Sequence, residues 1–584
     1  MSSPLPQNPH ALALESKAAM DRKDWGTADL LLRQRLAVMP QDPGLLFDLG
    51  LVAYRRNALS DAEGFLRKAA DLGAGEPAWL LLGRTFVGLR RDTDALRAYK
   101  AVVKSNPAQF EALMALGDIR HRNGDRAGAR ANYRQAVEAR PTDLDAVIKY
   151  SGAVWDDGDP ETAVAMTLDL LARTSDLAAR ARVLRSALWQ VECWERITHG
   201  QTPYHAAHSD ELFFTYAAPL LADFERAYAA LATANPADSG AKIGLGLAHF
   251  CRGDRTGAET LFKAAGPAIA GGVLETAWFS PAFHAALRLP ADANAGEEFG
   301  AGLPTVTTVR PFVPDPAGVL FLSCDSVYFA GFGLPLLCSL QASSPATPVH
   351  LHIIDPAPKD LQRIAAFCDT LGLRFALTSE APELHAAPVQ VARSYFHAVR
   401  FIRFHQFLGP YGCPLWMTDV DALVNRDLRP LFGHLHGRDA AMRLRPGRLE
   451  PQNQFSACAV GAAQTPASQA YFRQLAAYIA HFHGQGALRW GIDQVAMYAV
   501  FADMQDRNQA PGLALLDQRH VDFDQHDDGV IWMTAGARKF QHLQGAMQPG
   551  TVPPPEAAEA RYVAAFEKHR KAAQIIAAGI GWKI

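Results

Sequence analysis

Hydrophobic and small residues recur with a helical period through the first half of the chain, in units of about 34 residues. The clearest unit carries its marker residues in the order Trp79, Leu82, Gly83, Phe86, Ala95, Tyr99 and Pro107. Glycine and alanine let two antiparallel helices approach each other, while the larger side chains fill the space between successive pairs. The pattern therefore predicts a stack of helical hairpins.

Neighbouring units repeat the same markers. They include Leu49, Gly50, Ala62 and Leu66 before the clearest unit, and Leu116, Gly117, Ala129, Tyr133 and Pro141 after it. Gly124, Gly158 and Gly253 fall between the two helices of a unit, where we expect a left-handed backbone. The whole pattern resembles tetratricopeptide repeats over residues 16–173 and more patchily over 174–270. That resemblance implies a superhelix whose groove binds a peptide or protein segment; a spacer or dimerisation scaffold is the alternative.

From Gly318 the pattern changes to alternating strands and helices. Short apolar runs predict strands at Val319–Ser323, Val349–Ile354, Leu373–Leu377 and Leu415–Thr418. Helical periodicity predicts helices at 334–342, Lys359–Leu371 and Tyr395–Leu408. This order predicts an α/β sheet with ligands at the carboxyl ends of its strands. Residues 271–316, rich in glycine, alanine and proline, are expected to be a linker.

The strongest candidate for chemistry is an acidic pair at the end of the last predicted strand. In an extended segment Asp419 and Asp421 face the same side, whereas Val420 points into the core. Two carboxylates at the end of a buried strand are costly unless a positive charge lies between them. A divalent cation such as Mn²⁺ or Mg²⁺ is the expected occupant. Leu423, Val424 and Pro430 exclude an EF-hand loop.

Further motifs follow a fixed order around this pair. They are Asp325-x-x-Tyr328, Arg400 with Arg403, Asp419-x-Asp421, the run from Phe455 to Val460, Asp493-Gln494, and His542-x-x-Gly545-x-x-Gln548. Together they resemble a glycosyltransferase of the GT-A fold, with family 8 as the closest group. Ser456 and Gln548 depart from that pattern, in which asparagine and lysine are usual.

The resemblance implies a role for each matched residue. Mn²⁺ (or Mg²⁺) would be held by Asp419, Asp421 and His542, and the donor would be bound by Asp325, Tyr328, Arg400, Arg403, Asp419 and Gly545. Asp493 and Gln494 would act at the reacting centre. For Asp493 the alternative is a helix cap, since an apolar helix is expected from Gln494 onward.

The expected domains are tetratricopeptide repeats at 1–175, degenerate helical repeats at 176–270, the linker, a GT-A domain at 317–550 and a helical tail at 551–584 without an assigned role. His205, His208 and Asp210 are expected in a solvated loop. The residues from His520 to Asp528 form a second acidic cluster. It has the composition of a metal site, but a solvated loop over the acceptor groove is favoured.

Composition limits the functional classes. The formal net charge of −3 in 584 residues gives no reason to expect nucleic acid as a partner, and no apolar run predicts a membrane span. Seven cysteines form no C-x-x-C, and the N-terminus has no signal-peptide pattern, so a cytoplasmic location is expected. Nucleotide-binding P-loop, dinucleotide-binding glycine and G-x-S-x-G motifs are missing from the sequence.

The resemblance to GT-A glycosyltransferases implies a metal-dependent transferase that moves a sugar from a nucleotide-sugar, with a UDP-sugar favoured, and the repeats suggest that the acceptor is a protein that they recruit. The layout resembles soluble bacterial flagellin glycosyltransferases. One alternative is a glycan or lipid-linked-sugar acceptor, with the repeats as an assembly module. The other is a non-catalytic scaffold, which Ser456 and Gln548 would permit.

Overall fold

The structure, a computed structural model, describes residues 9–287, 302–382, 384, 389–534 and 557–583. The chain divides near Leu170 into two compact units. His542, Gly545 and Gln548 of the predicted site lie outside the described residues.

The first unit consists of helical hairpins. Its helices are α1 (Pro9–Asp21), α2 (Trp25–Val38), α3 (Pro43–Arg55), α4 (Leu59–Asp71), α5 (Glu76–Gly88), α6 (Asp92–Ser105), α7 (Phe110–Arg122), α8 (Arg126–Ala139), α9 (Leu144–Asp156) and α10 (Pro160–Arg173).

The predicted glycine positions have the expected physical role. A Cβ added to Gly83 in α5 would lie 2.7 Å from the ring of Tyr99 in α6, so only glycine permits this approach of the two helices. Gly124 and Gly158 lie in the turns between paired helices, with φ values of 83° and 89°. Both predictions made from the repeat pattern are confirmed by this geometry.

The second unit begins with further helices. They are α11 (Leu177–Thr198), α12 (Ala218–Ala234), α13 (Ser239–Cys251), α14 (Arg255–Ala264) and α15 (Pro281–Ala286), with short 3₁₀ turns at Ser209–Leu212, Gly266–Ile269 and Val273–Thr276. They belong with the α/β part that follows, rather than being set apart from it by the stretch 271–316, which we expected to be a linker.

Specific contacts explain this grouping. The ring of Phe250 in α13 packs 4.8 Å from the ring of Tyr498, and the Cys251 thiol donates to the Leu449 carbonyl at 3.5 Å. The Tyr478 hydroxyl accepts from the Trp278 amide at 3.1 Å. Aromatic and polar groups of 171–286 are therefore buried against the second half of the chain.

A mixed β-sheet forms the centre of this unit. Its strands are β1 (Thr307–Arg310), β2 (Val319–Asp325), β3 (Val349–Ile354), β4 (Phe375–Glu380), β5 (Leu415–Thr418), β7 (Ala440–Leu444), β8 (Phe455–Ala462) and β9 (Leu513–Leu515); β6 (Leu423–Val424), β10 (Val521–Asp522) and β11 (Ile531–Trp532) form a small second sheet. The main order is β1-β4-β3-β2-β5-β8-β7-β9. Strands β4, β3, β2 and β5 are parallel, while β8 runs antiparallel to β5 and β7.

Helices pack around the sheets, some on the strands and others on neighbouring helices. They are α16 (Ser326–Tyr328), α17 (Leu334–Ser343), α18 (Pro358–Leu371), α19 (Val389–Tyr411), α20 (Arg429–Gly433), α21 (Pro466–Gly484), α22 (Ile492–Asp506) and α23 (Ala557–Gly579), with a π-helical turn at Phe329–Gly333 and a 3₁₀ turn at Pro451–Asn453. The tail helix α23 packs on α17 and α18, and Phe566 contacts Phe332 at 5.7 Å. No helix among the described residues is long and apolar enough to cross a membrane.

The topology defines a crevice. After β2 the chain adds β3 and β4 on one side and then returns to place β5 on the other side of β2. Ligands of open α/β sheets bind outside the carboxyl ends of the strands where the strand order reverses. The carboxyl ends of β2 and β5 therefore mark the expected ligand site, and both carry residues singled out from the sequence.

Candidate functional site

The acidic pair lies where β5 ends. The Thr418 hydroxyl and the Asp419 amide both donate to the Cys458 carbonyl of β8 at 3.0 Å, and the Ala422 amide donates to the Asp419 carbonyl at 3.2 Å. This turn leaves the Asp419 side chain 23% exposed and buries Asp421, which is 2% exposed. The site therefore combines one accessible and one buried carboxylate.

Residues after β2 contact this pair across the crevice. The Tyr328 hydroxyl donates to Asp421 Oδ2 at 2.6 Å. Asp325 accepts from the Val327 and Tyr328 amides at 2.8 Å, which caps α16 and positions that tyrosine. Burial and the Asp421 charge raise the pKa of Tyr328, so the hydroxyl remains a proton donor.

Arg400 of α19 joins the acidic pair to a third carboxylate. Its guanidinium is paired with Asp419, lies 3.4 Å from Asp493 Oδ2 and donates to the Ala457 carbonyl at 3.1 Å. Burial alone would lower the pKa of Arg400, but the two carboxylates outweigh it and raise the pKa above its usual value. A permanent positive charge thus lies at the edge of the crevice.

Asp493 does not act as a simple helix cap, which was the alternative for this residue. Helix α22 begins after Gly491, and the Asp493 carboxylate, completely buried, lies 2.8 Å from His397 Nε2 and next to Arg400. Burial alone would raise the pKa of Asp493, but His397 and Arg400 outweigh that effect and lower it. The side chain orders two groups on α19; it also accepts the amide of Gln494 at 2.9 Å.

His397 connects this buried network to the surface. Its ring stacks on Trp490, with centroids 4.4 Å apart and an interplanar angle of 16°. Trp490 is 58% exposed, which is unusual for a tryptophan beside a buried ion pair. The indole therefore offers an exposed face next to the carboxylate cluster.

Arg403 lies apart from this cluster. Its Nε donates to Glu380 Oε2 at 2.6 Å, and its Nη2 donates to the Pro304 carbonyl at 2.7 Å. The Tyr395 hydroxyl donates to the same carboxyl group at 3.0 Å. Although Arg400 and Arg403 are three residues apart on α19, the second arginine neutralises the buried carboxylate at the end of β4, and its predicted donor contact stays a prediction.

Gln494 lies on the side of the site that is next to strand β7. Its Oε1 accepts from Arg445 Nη2 at 2.7 Å, and the same guanidinium nitrogen donates to the Phe455 carbonyl at 2.9 Å. Ser456, which stands where asparagine was expected, lies 3.0 Å from the Cys458 thiol. The structure thus brings together Asp325, Tyr328, Arg400, Asp419 and Asp421, with Asp493 and Gln494 adjoining.

Two contributors were missed by the sequence analysis. The Tyr562 hydroxyl of α23 donates to the Asp421 carbonyl at 2.6 Å, so the unassigned tail supports the acidic pair. His397, one helical turn before Arg400, contacts Asp493. Its spacing from Arg400 placed it on the same helix face, which was the available signal for it; no local signal connects Tyr562 to β5.

Asp419 and Asp421 supply two oxygen ligands of the kind that Mn²⁺ or Mg²⁺ prefers, so the chemistry of the described residues fits the expected cation. The expected third ligand, His542, lies outside them. Within the described part of the chain, Asp522, Asp524 and His526 form a separate group whose ligand atoms lie within 4.8 Å of one another. The Asp522 carboxylate accepts hydrogen bonds from the backbone amides of Asp524 at 2.8 Å and His526 at 2.5 Å. These bonds stabilise a turn, which explains why the three side chains lie close together.

Parts of the chain match known proteins. A family model described as tetratricopeptide repeat matches residues 14–77 and 80–143, and the region contains such repeats. A curated protein, "Cellulose synthase operon protein C" of Pseudomonas fluorescens (strain SBW25), is 28% identical over 160 residues, which is 25% of this chain. The chain spans only 12% of the length of that relative.

Similar solved structures cover a minor part of the chain. MamA (41-end) from Desulfovibrio magneticus RS-1 is 17% identical over 29% of this chain and 97% of its own, with a TM-score of 0.27. A tetratricopeptide repeat protein from Parabacteroides merdae ATCC 43184 is 15% identical over 44% and 91%, with a TM-score of 0.34. YrrB, titled a TPR protein with an unusual peptide-binding site, is 17% identical over 29% and 87%, with a TM-score of 0.26. The chain joins an all-helical tetratricopeptide region to a region of mixed sheet and helices.

Proposed function

We propose that the second unit is a metal-dependent glycosyltransferase of the GT-A fold, which transfers a sugar from a nucleotide-sugar to an acceptor. The observation that carries this proposal is the hydrogen bond from Tyr328, in the helical turn after β2, to Asp421 of the acidic pair after β5, at the reversal of strand order. Oxygen ligands for a cation are what binding of a nucleoside diphosphate through a divalent metal requires.

Asp419, Asp421 and His542 would hold Mn²⁺ or Mg²⁺, which when bound neutralises phosphate oxygens as a Lewis acid. Arg400 adds a fixed positive charge beside Asp419, so it stabilises negative charge that develops on a departing diphosphate. Asp493 keeps Arg400 and His397 in place through buried polar contacts of 3.4 Å and 2.8 Å. Tyr328 orients Asp421 by donating its hydroxyl proton to the carboxylate in a hydrogen bond.

The tetratricopeptide repeats would recruit the acceptor, for which a protein such as flagellin remains the leading hypothesis. A depression of about 370 Å³ beside α7 and α9 supports a binding role, because it combines apolar and charged side chains. Its lining includes Phe110, Met114, Arg140 and Lys149. Holding an acceptor on the same chain raises its local concentration near the site.

The curated relative favours a second candidate function. Its printed name refers to an operon for cellulose synthase, which favours a polysaccharide as the acceptor of this chain. In that case the acceptor is a glycan and the repeats bind an assembly partner. If the intact chain captures flagellin, and substitution of Arg140 and Lys149 abolishes this capture, the acceptor is a protein. If the intact chain captures neither flagellin nor another protein substrate, a glycan acceptor is favoured.

Nucleotide-sugars can be screened against the full-length chain by thermal shift, with and without Mn²⁺. A donor that binds the folded state raises the melting temperature by mass action, and the increase should require the cation. Asp421→Asn should remove it. If no nucleotide-sugar or nucleoside diphosphate stabilises the chain in Mn²⁺, the proposed function is wrong and a non-catalytic scaffold is favoured.

A further inference from the structure

Three arginines lie together beside Asp493 and Gln494. Arg443 is in β7, Arg445 follows two residues later on the same side of the extended chain, and Arg448 is in the loop that follows. Arg443 is 8% exposed, and the other two are half-buried. Charges removed from water in this way need a partner of opposite sign.

The partners of these arginines are neutral. Arg443 Nε donates to His205 Nδ1 at 3.1 Å and its guanidinium lies 4.8 Å from the Phe523 ring centroid. Arg445 donates to two uncharged oxygens, and its buried Nε has no hydrogen-bond partner among the residues that the structure describes. The Arg448 guanidinium lies over the ring of Trp189, 4.9 Å from its centroid.

Among the described residues, no carboxylate oxygen lies within 4.0 Å of any of the three guanidinium groups. Asp522 and Asp524 favour the charged form of Arg443 from a greater distance. Burial, together with the neighbouring arginines, lowers the pKa of Arg445 to about 10 despite the charge of Asp493. In the described part of the chain the three guanidinium groups thus lack a direct counter-ion.

Other buried arginines of the same unit are paired. Arg196 contacts Glu192 at 3.0 Å, Arg400 is paired with Asp419, and Arg403 is paired with Glu380. The fold therefore supplies carboxylates to buried guanidinium groups elsewhere. The arginines of β7 and the loop after it lack such carboxylate partners, and they lie next to the candidate site. A bound anionic ligand would complete their ion pairs there.

We propose that Arg443, Arg445 and Arg448 form an anion subsite that takes a carboxylate or phosphate group of the acceptor. The inference rests on the proposed function and specifies its substrate class as an acidic acceptor. The strand order β5-β8-β7 places the cluster two strands from the acidic pair, about 10 Å across the sheet, so it is distinct from the cation site. Trp189 and the partly exposed Tyr204, whose rings stack 6.4 Å apart, border the cluster from the helical segment and suit an acceptor with a sugar ring.

The test uses the full-length chain and inorganic phosphate as the probe, at constant ionic strength with chloride as the reference. Phosphate should raise the melting temperature more than chloride does. Arg445→Gln and Arg443→Gln should weaken the apparent affinity at least about tenfold, because charge-assisted hydrogen bonds are lost. Arg429→Gln, which alters an exposed arginine paired with Asp427, should leave it unchanged.

The ligand-free melting temperature separates a binding role from a structural one. Removing a charge that has no counter-ion should leave that temperature unchanged or raise it, whereas loss of a structural ion pair lowers it. The inference is overturned by unchanged phosphate stabilisation in both variants, or by a large fall of the ligand-free melting temperature in both.

Glucuronate and glucose 6-phosphate, compared with glucose, identify the source of the acid. Stabilisation by one of the two beyond that of glucose supports the subsite and names its group; stabilisation by neither overturns it. UDP with Mn²⁺ is measured in parallel. Loss of the UDP response with a retained phosphate response refutes the proposed function alone, and the reverse pattern refutes the subsite alone.

Discussion

At the scale of single residues, the candidate site is a chain of ion pairs rather than a set of isolated side chains. Asp493 illustrates this, because it is buried with His397 and Arg400 and has no route to solvent of its own. Removing one member leaves uncompensated charge in the interior. The same residue therefore contributes to both stability and the order of the site.

Asp493→Asn should lower the free energy of unfolding by about 3 kcal/mol, since breaking a buried pair leaves a buried charge. Thermal melting of the full-length chain measures the change. Asp506→Asn on the same helix is the control, because its ion pair with Arg255 involves a carboxylate that is 58% exposed, and its effect should stay below about 1 kcal/mol. Equal effects of the two variants would contradict the buried network.

His205 gives a prediction with a definite pH sign. The expectation of a solvated loop was wrong for this residue, which is 5% exposed against Arg443. Burial and Arg443 lower its pKa to about 3, although Asp517 acts in the opposite direction; His520 is also nearby and acts with Arg443. The unfolded histidine titrates near pH 6.5, so between about pH 6.5 and 3 the unfolded chain binds a proton that the folded chain does not.

The contribution of His205 to stability therefore falls with decreasing pH, by up to about 1.4 kcal/mol per unit. His205→Gln keeps an acceptor for Arg443 and should flatten the pH dependence between pH 6 and 4, as measured by thermal melting. His208→Gln alters an exposed neighbour and should not change the pH dependence of stability. If His205→Gln has the same pH dependence as the unmodified chain, the imidazole of His205 is not held neutral.

At the scale of elements, local periodicity was sufficient to predict much of the fold. Strands Val349–Ile354 and Leu415–Thr418 were predicted with the bounds that the structure gives them, because each is a short apolar run buried on both faces. Helix α19 extends further at both ends than predicted, from Val389 to Tyr411. Its amphipathic middle was visible in the sequence, whereas its ends depend on tertiary contacts.

The repeat turns offer a matched test of backbone conformation. Gly158 has a φ of 89°, and Gly152, in helix α9, is not in the left-handed region; an added Cβ meets nothing within 4 Å at either position. Gly158→Ala should destabilise the hairpin by about 1 kcal/mol, because a Cβ is disfavoured in the left-handed region. Gly152→Ala should stabilise it by about 0.5–1 kcal/mol. Native-state hydrogen exchange in α9 of the full-length chain measures both, and changes of the same sign would contradict the assignment.

At the scale of the whole molecule, sequence and structure differ about where the chain divides. The signature of the repeats fades after residue 173, which predicted degenerate repeats followed by a linker. The structure joins 171–286 to the α/β part, since Phe250 and Cys251 are buried against it and the half-buried Trp278 bonds to Tyr478. Packing between segments that are distant in the sequence does not produce a periodic sequence pattern, so it could not be predicted. The same holds for the contact of Tyr562 with the acidic pair.

Two truncations distinguish these divisions. A chain that begins near residue 175 should remain folded and retain Mn²⁺-dependent binding of UDP, because the second unit is complete in it. A chain that begins at residue 271 should lose both, since it exposes the aromatic cluster around Tyr498. Circular dichroism and thermal shift report the result; equal behaviour of the two chains would contradict the role of residues 171–270.

The central claim is that Asp419 and Asp421 bind a divalent cation together with a nucleoside diphosphate. Electron paramagnetic resonance of Mn²⁺ tests it directly, because the six-line signal of the free ion decreases when the ion binds the protein. With UDP present, the full-length chain should bind Mn²⁺, Asp421→Asn should weaken this binding at least about tenfold, and Asp524→Asn in the second cluster should not change it. Binding that survives Asp421→Asn but is lost in Asp524→Asn would contradict the account.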